Sequence, residues 1–279
     1  MENKQGKISS EYSEAIKGNK KSLVSSTGRA KFADYSDEEL IQLPEGISEN
    51  SFGCGNPLAF SKVQPGQVVL DLGCGAGLDL LLAVKKVGHK GRVIGVDMNE
   101  DMLEKAKENI EASGLENIEL RKGKIEELPI ESGSIDWVIS NCVINLSLDK
   151  EKAFSEIARV LKPGGQILIS DIVAENMPWW VKRSGLLTAA CAGGTLSEKE
   201  YLEGLNSAGI TECSVVARQH YEPIQIASVV VDALPEIISK LSCCGKNIVS
   251  SLLTKAAKPI SKNLWSAKYL GKMTAAKSA

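Results

Sequence analysis

Between Val63 and about Val173 the chain alternates short apolar runs with helical patterns, and this rhythm confines it to one class of fold. Val68–Leu72, Arg92–Val96, Ile118–Arg121, Ile135–Ser140 and Gln166–Ile172 are strand-length. Between them, Asp79–Val87, Asp101–Ser113 and Asp149–Leu161 carry apolar residues at helical spacing. Asn99 and Asp149 stand where helix caps belong, Gly88 ends the first helix, and Pro163-Gly164-Gly165 stops the third. Ile135–Ser140 is apolar on both parities, as a strand covered on both faces must be. Strands spaced by helices of about a dozen residues imply βαβ units and a doubly wound, mostly parallel α/β sheet.

Outside this stretch the rhythm breaks. Residues 1–35 are rich in Lys and Ser and read as a flexible segment in which Glu11–Ile16 opens a helix. Ser36 and Glu39, and again Ser197 and Glu200, have capping-box spacing. Met177–Ala190 reads as an apolar helix whose Trp179 and Trp180 either pack or form a lid over the site, with packing favoured. Val215–Ala217 and Ile224–Val231 are expected to form an antiparallel terminal hairpin on the same sheet. Beyond Glu236 there is no acidic residue and eight lysines follow. The expected organisation is a flexible segment over 1–35, one α/β domain over 36–232, and a small basic helical appendage over 233–279.

With 33 basic and 35 acidic residues, the net charge of −2 argues against a dedicated nucleic-acid binder. No apolar run reaches the length of a membrane span and no export signal is visible, so a cytoplasmic location is expected. The seven cysteines are odd in number and contain no CxxC pair. Reduced thiols are therefore expected rather than a disulfide framework, and a structural zinc site is disfavoured.

Val69-Leu70-Asp71-Leu72-Gly73-Cys74-Gly75-Ala76-Gly77 joins a strand to a helix, where glycines allow a tight turn and close approach of backbone to ligand. Asp97 ends the next strand 20 residues after Gly77, the spacing at which a carboxylate meets a ribose diol. The glycines depart from the GxGxxG dinucleotide pattern. Asp71 would repel a pyrophosphate but suits an ammonium group, which favours S-adenosylmethionine over a nicotinamide dinucleotide. Over residues 60–175, including Leu161-Lys162-Pro163-Gly164-Gly165, the chain resembles class I S-adenosylmethionine-dependent methyltransferases with their Rossmann-like sheet. The resemblance implies that Asp71, Gly73, Gly75 and Gly77 surround the methionyl part. It likewise implies that Asp97 holds the ribose, Met98 covers the adenine, Ile125 and Glu126 line its edge, and Asn141 contacts the methionyl end. Lys124 stands where many relatives have Asp, which leaves Glu126 as a substitute.

Cys54 lies between Gly53 and Gly55, Cys142 just past the fourth strand, and Cys191 shortly before Gly193-Gly194. Ligands of open α/β sheets sit at the carboxyl ends of the strands, which puts Cys142 beside the cosubstrate. Thiols able to hold a soft atom beside a sulfonium methyl donor suggest methyl transfer to that atom, with trivalent arsenic the leading candidate. The segments Gly53-Cys54-Gly55-Asn56-Pro57 and Ser140-Asn141-Cys142-Val143-Ile144-Asn145-Leu146-Ser147 and the later Cys191, with Tyr35–Leu40, resemble arsenite methyltransferases over residues 35–230. By that resemblance Cys54, Cys142 and Cys191 are the catalytic residues and bind arsenic(III), the substrate, as thiolates.

Many relatives carry a further cysteine upstream, tied to re-reduction of arsenic, but none precedes Cys54. This implies an external thiol reductant of the glutathione or thioredoxin type, or fewer methyl transfers. Partners are then arsenite or its thiol conjugates and a thioredoxin-type reductant, with no nucleic acid. Cys74 and Cys213 read as packing residues, and vicinal Cys243-Cys244 as either a capture site or incidental thiols. Two other functions stay open: a methyltransferase of a small organic metabolite, and a non-catalytic thiol-based metalloid binder.

Overall fold

In a computed structural model of the protein, residues 55–175, 194–222 and 261–274 are described continuously, with scattered positions between residues 6 and 53. One seven-stranded sheet organises them. The elements run α1 (Asp37–Ile41), β1 (Val68–Leu72), α2 (Leu78–Val87), β2 (Arg92–Asp97), α3 (Glu100–Ser113), β3 (Ile118–Lys122) and β4 (Ile135–Asn141). They continue with α4 (Lys150–Val160), β5 (Leu161–Ala174), α5 (Glu198–Ser207), β6 (Ile210–His220) and β7 (Leu264–Met273). Short 3-10 turns lie at Pro57–Phe60 and Ile144–Leu146.

The strand order is β3-β2-β1-β4-β5-β7-β6. The first five strands are mutually parallel, and β7 runs antiparallel to both β5 and β6. Strand residues alternate between two cores. Leu70, Leu72, Val138, Ile167 and Ile169 join Phe154 and Ile157 of α4 on one face. Val69, Trp137, Ile139 and Leu168 join Leu80, Leu81 and Val84 of α2 on the other. Two buried faces explain why the strands read as continuous apolar runs.

The caps fall where side-chain chemistry dictates. Asn99 Oδ1 accepts the Met102 N–H at 3.1 Å, and Asp149 Oδ1 accepts the Lys152 N–H at 3.0 Å. Ser197 and Glu200 close a complete capping box at α5, and Ser36 and Glu39 close another at α1.

The C-terminal region departs from expectation in two ways. The antiparallel partner of β6 is Leu264–Met273, whereas 224–231 lies outside the described residues. The expected helical tail over 233–279 is thus corrected for Leu264–Met273, a strand inserted between β5 and β6. Its aromatic residues make this possible: the Tyr269 ring stacks on Tyr201 of α5 at 4.2 Å, and Trp265 Nε1 donates to Glu198 at 2.7 Å. The N-terminal segment is also more integrated than expected. Described helical positions within 9–16 hold onto Asn99, and Tyr35 is buried.

Candidate active site

Sheet order reverses between β1 and β4, and an open cleft lies over the carboxyl ends of the strands there. Asp71, Gly73 and Gly75 line it from the β1–α2 connection, Asp97 and Met98 from the end of β2. Ile125 and Glu126 follow β3, and Asn141 and Cys142 follow β4. Of the residues the sequence assigned to the methyl donor, all but Gly77 therefore line one cleft. Gly77 sits behind them as the left-handed cap of α2, at φ 90°.

The glycine loop is built by backbone. The Gly73 and Cys74 N–H groups both donate to the Val96 carbonyl, at 2.7 and 3.1 Å. Gly73 has φ 63°, and a Cβ there would collide with Val143. The Gly75 and Asn99 N–H groups each donate to the Asp97 carboxylate at 2.9 Å, which aims it along the loop. Burial raises the Asp97 pKa, and these N–H bonds oppose the rise. Glu126, expected at the adenine edge, also accepts from Ser147 Oγ at 2.6 Å.

One cluster was not foreseen. The Tyr35 hydroxyl donates to Asp79 at 2.8 Å, and Asn141 Nδ2 lies 3.2 Å from Asp79 and 3.0 Å from the Tyr35 oxygen. Burial raises the Asp79 pKa to about 6 against the hydrogen bonds from Tyr35 and Asn141, with Glu39 adding to the rise. Burial likewise raises Asp71, whose neighbours Asp79 and Asp97 push the same way. The described lining thus carries four carboxyl groups, Asp71, Asp79, Asp97 and Glu126, against the single basic side chain Lys124. A ligand that brings positive charge fits this cleft and a pyrophosphate does not, which matches the ammonium and sulfonium of S-adenosylmethionine.

Cys142 lies in the cleft wall, 4% exposed, against Leu146, Ile172 and Tyr221. It has φ 61°, an uncommon conformation for a residue with a Cβ and one that concentrates at functional sites. The turn is clamped from β5: the Cys142 N–H donates to the Ser170 carbonyl at 2.8 Å, and Asn145 Nδ2 donates to Asp171 at 2.7 Å. Cys142 is disulfide-bonded. The expectation of reduced thiols is corrected at this residue: a half-cystine in this state offers no thiolate.

Cys54 and Cys191 lie outside the described residues, but Gly53 and Gly55, which flank the first, and Gly194, three residues after the second, do not. Asn141 holds both backbone polar groups of Gly55. Its Oδ1 accepts the Gly55 N–H at 3.1 Å, and its Nδ2 donates to the Gly55 carbonyl at 2.5 Å. Asn141 thus has a task that the sequence did not announce, fastening Gly55, the residue after Cys54, beside Cys142. Gly194 packs on the turn after Cys142, where a Cβ would come within 2.6 Å of the Asn145 carbonyl. Cys74 and Cys213 are free and packed, with burial raising both thiol pKa values, that of Cys213 to about 11. Trp179, Trp180, Cys243 and Cys244 fall outside the described residues.

A family model described as a methyltransferase domain matches residues 64–209, more than half of the chain and the whole of the cleft-forming sheet from β1 to β5. The chain belongs to this methyltransferase family. Arsenite methyltransferases of Halobacterium salinarum and Mus musculus are each 39% identical to it, over 185 and 176 residues, which cover 66% and 60% of the chain. These stretches are 47% and 46% of the two relatives, so the methyltransferase spans about half the length of the curated relatives it matches. The crystal structure of an arsenic(III) S-adenosylmethionine methyltransferase from Chlamydomonas reinhardtii superposes with a TM-score of 0.65 at 29% identity. The match covers 86% of this chain and 73% of that one.

Proposed function

We propose that this methyltransferase moves the methyl group of S-adenosylmethionine to thiolate-bound arsenic(III). The observation that supports it is the convergence at β4. Cys142 lines the methyl-donor cleft, Asn141 ties Gly55 next to it, and Gly194 packs on Asn145. Covalent geometry keeps Cys54 within about 3.8 Å, Cα to Cα, of Gly55, and Cys191 within about 11 Å of Gly194. Three thiols from three parts of the chain thus have reach to one point beside the donor.

The donor supplies an electrophilic methyl on a sulfonium. Asp71, Asp79 and Asp97 hold its positive and hydroxyl-bearing ends, and the Gly73–Gly75 backbone lets it sit close. Arsenic(III) held by thiolates presents a lone pair to that methyl. A carbon–arsenic bond forms as the sulfur–methyl bond breaks, its electron pair staying on sulfur, so no general base is required. What the protein contributes is placement and exclusion of water. The disulfide at Cys142 must first be opened by a two-electron thiol reductant of the glutathione or thioredoxin type. Arsenite or its thiol conjugate is the substrate, and a reducing cytoplasm is the compartment that suits it.

Incubation with methyl-labelled S-adenosylmethionine, arsenite and glutathione tests this. Labelled methylarsenicals are expected, and Cys142→Ser and Cys191→Ser variants should lose at least 100-fold in rate (an order-of-magnitude figure for loss of an activating ligand). Label appearing only in organic acceptors, or arsenic binding without label transfer, would overturn the reading.

A further inference from the structure

The cleft has a wall that the sheet does not supply. Ser9 and Tyr12, from the N-terminal segment, line it together with Met98, Asn99 and Met102. Position 12 is three residues after position 9, so in a helical segment both side chains share a face. Asn99 is the buried residue that fastens that face. Asn99 is 4% exposed, and its Nδ2 donates to the Ser9 carbonyl at 2.7 Å, to Ser9 Oγ at 3.1 Å and to Ser13 Oγ at 2.9 Å. The same side chain uses its Oδ1 to cap α3, and its backbone N–H to hold the Asp97 carboxylate. A Lys17–Asp101 ion pair of 2.8 Å adds a second link, exposed and hence weak.

We propose that Tyr12 is a cosubstrate-binding residue, closing the adenosine half of the cleft from outside with its ring, and that Asn99 is the positioning residue that holds it there. The location follows from Asn99 itself, two residues beyond the ribose-facing Asp97. Met98, Met102 and Ile125 provide an apolar lining at that end. An aromatic ring opposite them gives a purine a second flat surface, where stacking adds to burial. The proposal rests on the reading of the cleft as an S-adenosylmethionine site.

Calorimetric titration of the full-length protein tests it with two probes, S-adenosylmethionine and methylthioadenosine, which lacks the amino-acid half. Tyr12→Ala should raise both dissociation constants about tenfold, whereas Tyr12→Phe keeps the ring and should stay within twofold. Asn99→Ser keeps a capping oxygen for α3 but loses the donor to Ser9, so it should weaken both probes about threefold or more with melting temperature little changed. Tyr12→Ala and Asn99→Ser variants that both bind within twofold of wild type would overturn the proposal. Wild-type protein that binds neither probe would overturn the cosubstrate reading, and the proposal with it.

Discussion

At the scale of single residues, Asp79 is the group whose chemistry the cleft changes most visibly. Its pKa in the folded protein, about 6, lies above the ordinary value of 3.8 because burial penalises the charge. Between those values the folded apoprotein binds more protons than the unfolded chain, so stability falls as pH rises through that window and stays lower above it. Buried Asp171, raised to about 7 mainly by burial, acts in the same direction but does not line the cleft. A bound ammonium group lowers the Asp79 pKa and removes its part of the loss. Melting curves of the apoprotein should therefore rise from pH 7.5 to pH 5.5, and the increment produced by saturating S-adenosylmethionine should be larger at pH 7.5. Asp79→Asn should shrink that pH dependence of the increment and weaken cosubstrate binding about tenfold, the scale of a lost charge-assisted contact. The glycine loop and Asp97 were legible because they lie in one continuous run with a fixed spacing. The Tyr35–Asp79–Asn141 cluster was not, because its members lie 44 to 106 residues apart and meet only when α2 and β4 pack. The state of Cys142 was also hidden, since redox pairing depends on which segments the fold brings within reach.

At the scale of elements, local chemistry carried most of the information. Asn99, Asp149 and Ser197 stand one residue before helices, and each accepts the backbone N–H three residues on. Gly114, in the αL conformation, and Gly88, at φ 62° and ψ −175°, end α3 and α2 as a residue lacking Cβ permits. Ser197→Ala removes the acceptor for the Glu200 N–H and one partner of its carboxylate. A loss of about 1 kcal/mol is expected, seen as a fall in melting temperature of roughly 2–4 °C, with S-adenosylmethionine affinity unchanged because α5 does not line the cleft. Equal cosubstrate weakening in that variant would mean that α5 shapes the site after all. The boundaries of β5 were less legible: the strand takes in Pro163-Gly164-Gly165, which read locally as a stop, because Leu161 already pairs with Ile135 across a register shift.

At the scale of the whole molecule, the sheet is completed by residues that local pattern assigns to a solvated tail. Leu264-Trp265-Ser266-Ala267-Lys268-Tyr269-Leu270 has lysine-rich surroundings, yet Lys268 is 2% exposed and Tyr269 fully buried. The strand's identity lies in its partners: residues 264–273 register with β5 on one side and β6 on the other. Glu198 of α5 gathers the same corner, accepting from Trp265 Nε1 at 2.7 Å and from Arg218 at 2.6 and 2.8 Å. Ending the chain at residue 260 would strip β6 of its partner and uncover the ladder edge of β5, together with the Tyr201 face that Tyr269 stacks on. Exposed ladder edges of this kind pair with other chains. The truncated protein should therefore aggregate or lack near-ultraviolet circular dichroism, although every residue of the glycine loop remains. A gentler variant separates the strand's packing from its presence. A Cβ at Gly271 would come within 2.7 Å of Cys213 Sγ and 3.1 Å of Ile210. Gly271→Val should thus destabilise by about 1–3 kcal/mol through overpacking, read as a lower denaturant midpoint at an unchanged slope. A truncated protein with native dichroism, or a Gly271→Val variant as stable as wild type, would show that β7 is an ornament on a self-sufficient five-stranded sheet rather than the member that closes it.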